Sequence, residues 1–152
     1  MKRVDLHTHS LASDGSLSPA QVVAEAKAEG LSAVALTDHD TMAGISEAVE
    51  AAKNSGIECI PGIELSAVYG EKEVHIVGLF LDEKNPVLAE KLEAFRKIRE
   101  ARNLKMIEKM QLAGVDITME KLREAEGDGV MTRANLARYL LHIGYISSIK
   151  EA

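Results

Sequence analysis

No tryptophan occurs in these 152 residues, and phenylalanine and tyrosine contribute only two and three. The core therefore has to be aliphatic, assembled from Ala, Val, Ile and Leu. Cysteine is nearly absent as well. The single Cys59 excludes an internal disulfide and fits a reducing cytoplasm. The N-terminus is polar and no apolar run reaches the length of a bilayer, so neither a signal peptide nor a membrane span is expected. Positive charge is not in surplus. The net charge of −6 argues against a broad nucleic-acid-coating surface. It still allows an anionic substrate, because bound cations reverse the local field of a carboxylate-rich site. Serine-centred elbows, phosphate-cradling glycine loops and paired zinc cysteines are all lacking.

What remains is an ordinary globular composition, 46% hydrophobic and 28% charged, in a length that suits one domain with a sizeable core. Residues 4–9 read as a short strand. Ser18-Pro19 looks like an N-cap followed by proline at the first helical position, and Gly30 is placed to close that helix. Residues 32–36 (Ser-Ala-Val-Ala-Leu) form the short apolar run of a buried parallel strand. A second helix over about 44–54 and a third strand over 57–60 complete an alternation typical of α/β folds. Pro61-Gly62 is expected to bend the chain. Beyond it, residues 65–69 and 74–81 flank a hairpin turn at 70–73, which makes a mixed sheet the expectation.

Asn85-Pro86 repeats the cap-and-proline start. The helix it opens could reach Ala113, roughly 40 Å at 1.5 Å per residue. Leu88, Leu92, Phe95, Ile98, Ile107 and Met110 supply an apolar stripe, and so long a helix is expected to project as an arm. Thr118 or Asp116 caps a short helix, Gly127-Asp128-Gly129 is a flexible link, and Thr132 caps a helix ending near Gly144. Ser147 or Ser148 opens another helix that stops at Ala152 in its first turn, so a truncated chain is expected. The domain reading is barrel-type strands and helices over 1–85, a helical insertion over 86–144, and the start of a truncated helix over 145–152.

Chemistry concentrates where strands meet loops. His7 and His9 are two apart on a strand, so their imidazoles share a face. His39 follows the second strand, Glu64 the third, and His75 lies in the hairpin. Carboxyl ends of strands are where α/β sheets collect functional groups, so residues distant in sequence can converge there. Taken singly, each has a plainer reading: a polar strand cap for the histidines, a turn residue for Asp14, a solvated loop acid for Glu64. Together, four imidazoles with Asp14 and Glu64 exceed one tetrahedral site and point to two or three metals sharing a bridging carboxylate. Mixed nitrogen and oxygen donors suit zinc, manganese or iron, not calcium or magnesium. Asp5, Asp38 and Asp40 adjoin these ligands and are expected to orient their imidazoles. His142 is assigned to the C-terminal end of its helix, where it favours the dipole. Cys59 reads as a small buried strand residue with no activating base nearby.

These motifs resemble the PHP (polymerase and histidinol phosphatase) family. The match rests on Asp-Leu-His-Thr-His-Ser at 5–10, Asp14-Gly15, Thr-Asp-His-Asp-Thr at 37–41, Pro-Gly-Ile-Glu-Leu-Ser at 61–66 and Val-His-Ile-Val-Gly at 74–78, all in order. The resemblance implies the N-terminal part of a distorted (β/α)7 barrel around two or three metal ions that hydrolyse phosphate esters. By position it implies one metal on His7, His9 and Glu64, a second on Asp14 and His39, and a third on His75 with Glu64 bridging. Within the family, the helical insertion is similar to that of stand-alone phosphoesterases of the nucleotide bisphosphatase and oligoribonuclease kind. Their Thr-Arg-x-His segment reads Thr132-Arg133-Ala134-Asn135 here. Arg133 is suited to a bidentate phosphate contact, and Asn135 stands where those relatives carry histidine. The family's remaining ligands, a late histidine and an Asp-x-His pair, fall beyond residue 152.

The expected activity is thus hydrolysis of a phosphorylated small molecule or short oligonucleotide in the cytoplasm, resting on Glu64, His39 and Arg133, with Arg133 and Asn135 against the substrate. Three rivals accompany it. One is a non-catalytic metal-binding fragment whose open barrel edges invite self-association. Another is an accessory domain of a polymerase. The third is a metal amidohydrolase, for which a carbamylated strand lysine would be wanted, and no strand lysine here is an obvious candidate.

Overall fold

The computed structural model describes residues 2–152. The first half alternates strand and helix as β1 (Val4–Thr8), α1 (Pro19–Ala28), β2 (Ala33–Leu36), α2 (Ile45–Ser55), β3 (Glu58–Tyr69) and β4 (Lys72–Leu79). The second half is helical, with α3 (Pro86–Leu112), α4 (Met119–Glu126), α5 (Arg133–His142) and a single 3-10 turn at Ile149–Glu151. Capping chemistry sets several of these starts. The Ser18 side chain accepts from the Gln21 amide while Gln21 accepts from the Ser18 amide, and Pro19 occupies the first turn of α1. Asn85 caps α3 by accepting from the Val87 and Leu88 amides, and Thr118 caps α4 by accepting from the Lys121 amide.

One four-stranded sheet results, in the order β1-β2-β3-β4. The first three strands are parallel, and β4 returns antiparallel to β3, so the sheet is mixed. Every residue of β2 is buried, as its unbroken apolar run requires. Val34 and Leu36 face a layer built by Val22, Val23 and Ala26 of α1 and Ile45, Ala48 and Ala52 of α2. Ala33 and Ala35 face the opposite side with Ile60 and Leu79.

The bend expected at Pro61-Gly62 is corrected, because β3 runs through both residues without a break. Pro61 is the last residue of β3 paired with β2, opposite Leu36, and Gly62 is the first paired with β4, opposite Leu79. The strand changes partner there instead of ending. A Cβ on Gly62 would lie 2.8 Å from Thr37 Cγ2, so glycine is what permits the close approach.

The projecting arm is also corrected. Helix α3 is as long as expected, but its buried residues are Arg99, Asn103 and Ile107, one per turn, while Phe95 and Ile98 are exposed. Its middle docks on the sheet through polar groups. Asn103 Nδ2 donates to the Met131 carbonyl at 2.9 Å. Further along, Ile107 joins Val115, Ile117, Leu122, Met131, Leu136, Tyr139 and Leu140 in a second aliphatic core belonging to the insertion alone.

Candidate metal centre

Backbone pairing assembles the site before any side chain is considered. His39, three residues beyond β2, forms an isolated parallel bridge with Glu64 of β3. The Glu64 amide donates to the Asp38 carbonyl at 3.2 Å and the Asp40 amide to the Glu64 carbonyl at 3.0 Å. His7 lies on β1 and His9 one residue beyond it, their ring centroids 5.1 Å apart, as same-face neighbours should be. His75 stands opposite Ser66 on β4. Asp14 enters from the loop after β1, folded so tightly that a Cβ on Gly15 would lie 2.3 Å from the His9 carbonyl oxygen.

Glu64 is the centre of the cluster. His7 Nε2 and His9 Nε2 lie 2.7 and 3.0 Å from its Oε2, His39 Nε2 lies 3.7 Å away, and His75 Nδ1 lies 2.6 Å from its Oε1. Asp14 carboxylate oxygens lie 3.4 Å from His9 Nδ1 and 3.4 Å from His39 Nε2. Three sets therefore offer ligand atoms within 4.8 Å of one another: His7, His9 and Glu64; His9, Asp14 and His39; His39, Glu64 and His75. All six expected ligands belong to them. Neighbouring sets share His9, His39 and Glu64.

Electrostatics suit cation binding. Burial pushes the Glu64 carboxyl up, but the imidazoles gathered on it, His7 first and then His39 and His75, outweigh it and hold the group below its ordinary value. Glu64 is thus ionised when a cation approaches. Burial holds the His39 imidazole below its ordinary value against the pull of Asp14 and Glu64, which favours the neutral ring that ligates metals. Its Nδ1 is buried without a hydrogen-bond partner among the described residues. With an ion on Nε2, Nδ1 would be the nitrogen left to carry the proton. The donor set of imidazoles and carboxylates fits a zinc, manganese or iron ion. Burial pushes the Cys59 thiol up, consistent with an inert strand cysteine.

Several surrounding roles differ from expectation. Asp5, Asp38 and Asp40 do not orient imidazoles. Asp5 accepts from the His7 amide, not its ring, at 3.2 Å. Asp38 accepts from the Ser10 amide and from the Ser10 and Ser13 hydroxyls at 2.6–2.7 Å, fixing the loop that carries Asp14. Asp40 pairs with Arg99 and accepts from the Ser66 amide at 3.0 Å. Besides Glu64 and Asp14, Glu73 reaches a ring, lying 3.4 Å from His75 Nε2 and also pairing with Arg133. Its only sequence signal is the two-residue spacing from His75 on β4.

Asn135 is likewise corrected as a substrate contact. It is fully buried, and its side-chain oxygen accepts from the Thr132 amide at 2.8 Å in a capping box. Its amide nitrogen donates to Glu126 at 3.1 Å. Arg133 does border the metal cluster, lining a hollow with Asp14, His39, His75 and Arg102. That hollow shares Glu73, Arg99, Arg102 and Arg133 with a cleft of about 400 Å³ whose other wall includes Val68, Phe95 and Ile98. Arg102 was not among the site residues expected from the sequence. Burial and its Arg99 and Arg133 neighbours hold its guanidinium below the ordinary arginine value, and among the described residues it donates to the adjacent Asn103.

Comparison with known proteins agrees with this arrangement. Residues 5–148 match the family model described as the PHP domain. The chain belongs to the PHP domain family. It is 44% identical over 151 residues to the 5'-3' exoribonuclease of Haemophilus influenzae, covering 99% of this chain and 55% of that protein. It is 36% identical over 151 residues to the 3',5'-nucleoside bisphosphate phosphatase of Chromobacterium violaceum, covering 99% and 53%. The structure of a Chromobacterium violaceum amidohydrolase with bound sulfate and no metal superposes with a TM-score of 0.91 at 35% identity, over 97% of this chain and 52% of that one. A metal-dependent phosphoesterase described from Bifidobacterium adolescentis gives the same TM-score at 29% identity, over 99% and 54%. The PHP chain here thus spans about half the length of the relatives it matches, and its sheet corresponds to the N-terminal half of their fold. None of the helices among the described residues is long and apolar enough to cross a membrane.

Proposed function

We propose that the chain supplies the metal-gripping half of a phosphoesterase that hydrolyses phosphate esters of nucleotides or short oligonucleotides. The observation that carries this reading is a single ionised carboxylate, Glu64, surrounded by His7, His9, His39 and His75 with Asp14 alongside. His7, His9 and Glu64 would hold one divalent ion, Asp14 and His39 a second, and His75 a third with Glu64 shared. Manganese, iron and zinc all suit these donors. A bound ion supplies Lewis acidity, lowering the pKa of water and offsetting charge on phosphoryl oxygens.

The chain's own groups do the rest. Arg133 presents a planar fork to the phosphoryl oxygens once Glu73 releases it, and Arg102 offers a second anion contact on the wall of the cleft. Phe95 and Ile98 give that cleft an apolar side against which a nucleobase can lie. The relatives named for ribonuclease and nucleoside bisphosphate chemistry support this substrate class. The unpaired Cys59 suits a cytoplasmic setting.

One observation favours a second reading. The chain covers only half of its relatives, and Val4, Leu6, Val74 and Ile76 are exposed on the outer strands β1 and β4. As it stands the chain would then bind metal and self-associate without turning over. Metal analysis of the purified chain beside phosphate release from a nucleoside bisphosphate and a short oligoribonucleotide separates the two. Bound manganese with release supports the first reading, and bound manganese without release supports the second. Glu64→Gln is expected to lower metal content and abolish any release. Unchanged metal content in that variant would sink both.

A further inference from the structure

Helix α3 bonds the loop that carries His39, and strand β3 beside it, through Arg99. Arg99 Nε donates to Asp40 Oδ2 at 3.0 Å, Nη2 donates to the same oxygen, and Nη2 also donates to Ser66 Oγ at 2.6 Å. Asp40 closes the ring by accepting from the Ser66 amide through Oδ1 at 3.0 Å. Both charged groups are out of water, Arg99 at 8% and Asp40 at 5% exposure.

The two residues that Arg99 grips flank the bridge that forms the site. Asp40 follows His39, and Ser66 lies two residues after Glu64, on the same face of β3. Asp40 also sits at φ 51, in the left-handed region that non-glycine residues hold only when their surroundings enforce it. Backbone bonds from the Glu64 amide to the Asp38 carbonyl and from the Asp40 amide to the Glu64 carbonyl already join the His39 loop to β3. The planar guanidinium adds a side-chain brace, bonding Asp40 and Ser66 together with rigidly spaced donors.

We infer that Arg99 is a positioning residue through which the inserted helix α3 fixes the spacing of the candidate metal ligands His39 and Glu64. The inference rests on the metal-centre reading above. It assigns the insertion a role in building the site in addition to bordering the cleft.

The test compares manganese affinity with folding in the same chain. Arg99→Lys keeps the charge and loses the fork. Arg99→Gln combined with Asp40→Asn removes both charges, so no ion is left buried alone. Both are expected to keep the wild-type circular dichroism spectrum and to bind manganese about tenfold or more weakly, measured well below their unfolding midpoints. An ion pair that served only stability would lower the midpoint and leave the affinity of folded molecules unchanged. Asn103→Ala loosens α3 elsewhere and is expected to lower the midpoint with affinity retained. Wild-type affinity in both Arg99 variants overturns the inference, and so does an equal loss in Asn103→Ala, which would assign the effect to helix docking in general. A wild-type chain that binds no manganese removes the metal-centre reading, and this inference with it.

Discussion

The sheet layer and the helical insertion bury side chains of opposite character at the places where they do their work. Between the sheet and helices α1 and α2 the hydrophobic core consists of Val, Leu, Ile and Ala. Where the insertion meets the sheet and the site loops, buried polar groups carry contacts: Arg99 bonds Asp40, Thr132 bonds Asp14 and Asn135 bonds the Ser13 carbonyl. Asp14 is tied to the insertion too, its carboxylate accepting from Thr132 Oγ1 at 3.0 Å and its carbonyl from Arg138 at 2.8 Å. Apolar packing is non-directional and tolerates small slides. Hydrogen-bonded ion pairs fix angle as well as distance. The molecule thus uses aliphatic burial to make a scaffold and directional contacts to place loops bearing His39 and Asp14.

The sharpest way to break this comparison is Arg99→Ala. It leaves the Asp40 carboxylate buried without its counter-ion, an effect of about 3–5 kcal/mol. Urea unfolding should show it, and a loss below about 1 kcal/mol would mean that water reaches Asp40 freely. Next come two leucines in the two cores. Leu36→Ala in β2 and Leu122→Ala in α4, both almost wholly buried, should each cost about 2–5 kcal/mol. Native-state hydrogen exchange should locate the Leu36 effect in β1–β3 and the Leu122 effect in α4 and α5. Destabilisation of both regions by either change would show one cooperative unit where two cores are visible.

A smaller effect is expected from Asn135→Ala. It breaks the capping box of α5 and removes a partner from Glu126, worth about 1–3 kcal/mol. Phosphate-ester binding by the whole protein should change little, since Asn135 is buried away from the cleft. A loss of binding with stability intact would restore it as a substrate contact. Smallest is Glu93→Ala, which removes an exposed pair with Arg96 on the same helix as Arg99. Thermal denaturation should show no measurable change, because water already screens the pair. Two arginines on one helix would then differ in worth with the burial of the pairs they form.

Much of the scaffold was legible locally. Ser18-Pro19, Asn85-Pro86, Thr118 and Thr132 each marked a helix start, and the run at 33–36 marked the central strand. Caps and strand runs depend on neighbours within about four residues, so the sequence displays them directly. The candidate ligands were legible for another reason. His7, His9, His39, Glu64 and His75 are chemically conspicuous residues at strand ends or on strands, and a parallel sheet gathers strand ends.

What the sequence by itself determined is therefore the alternation of elements and the candidate ligand set. Tertiary structure decided the rest. It let β3 pass through Pro61-Gly62 by exchanging β2 for β4, and it buried Arg99 in place of Phe95 and Ile98. It also turned Asp5, Asp38 and Asp40 from rings to backbone, hydroxyls and guanidinium, and it set Glu73 beside His75. Arg99 and Asp40 are separated by 59 residues, and no local pattern encodes a partner at that distance. Whether an arginine ends in water or in the floor of a metal centre depends on which carboxylate the fold brings to it. His7 and His9 could be read from the chain; the clamp that spaces His39 from Glu64 could not.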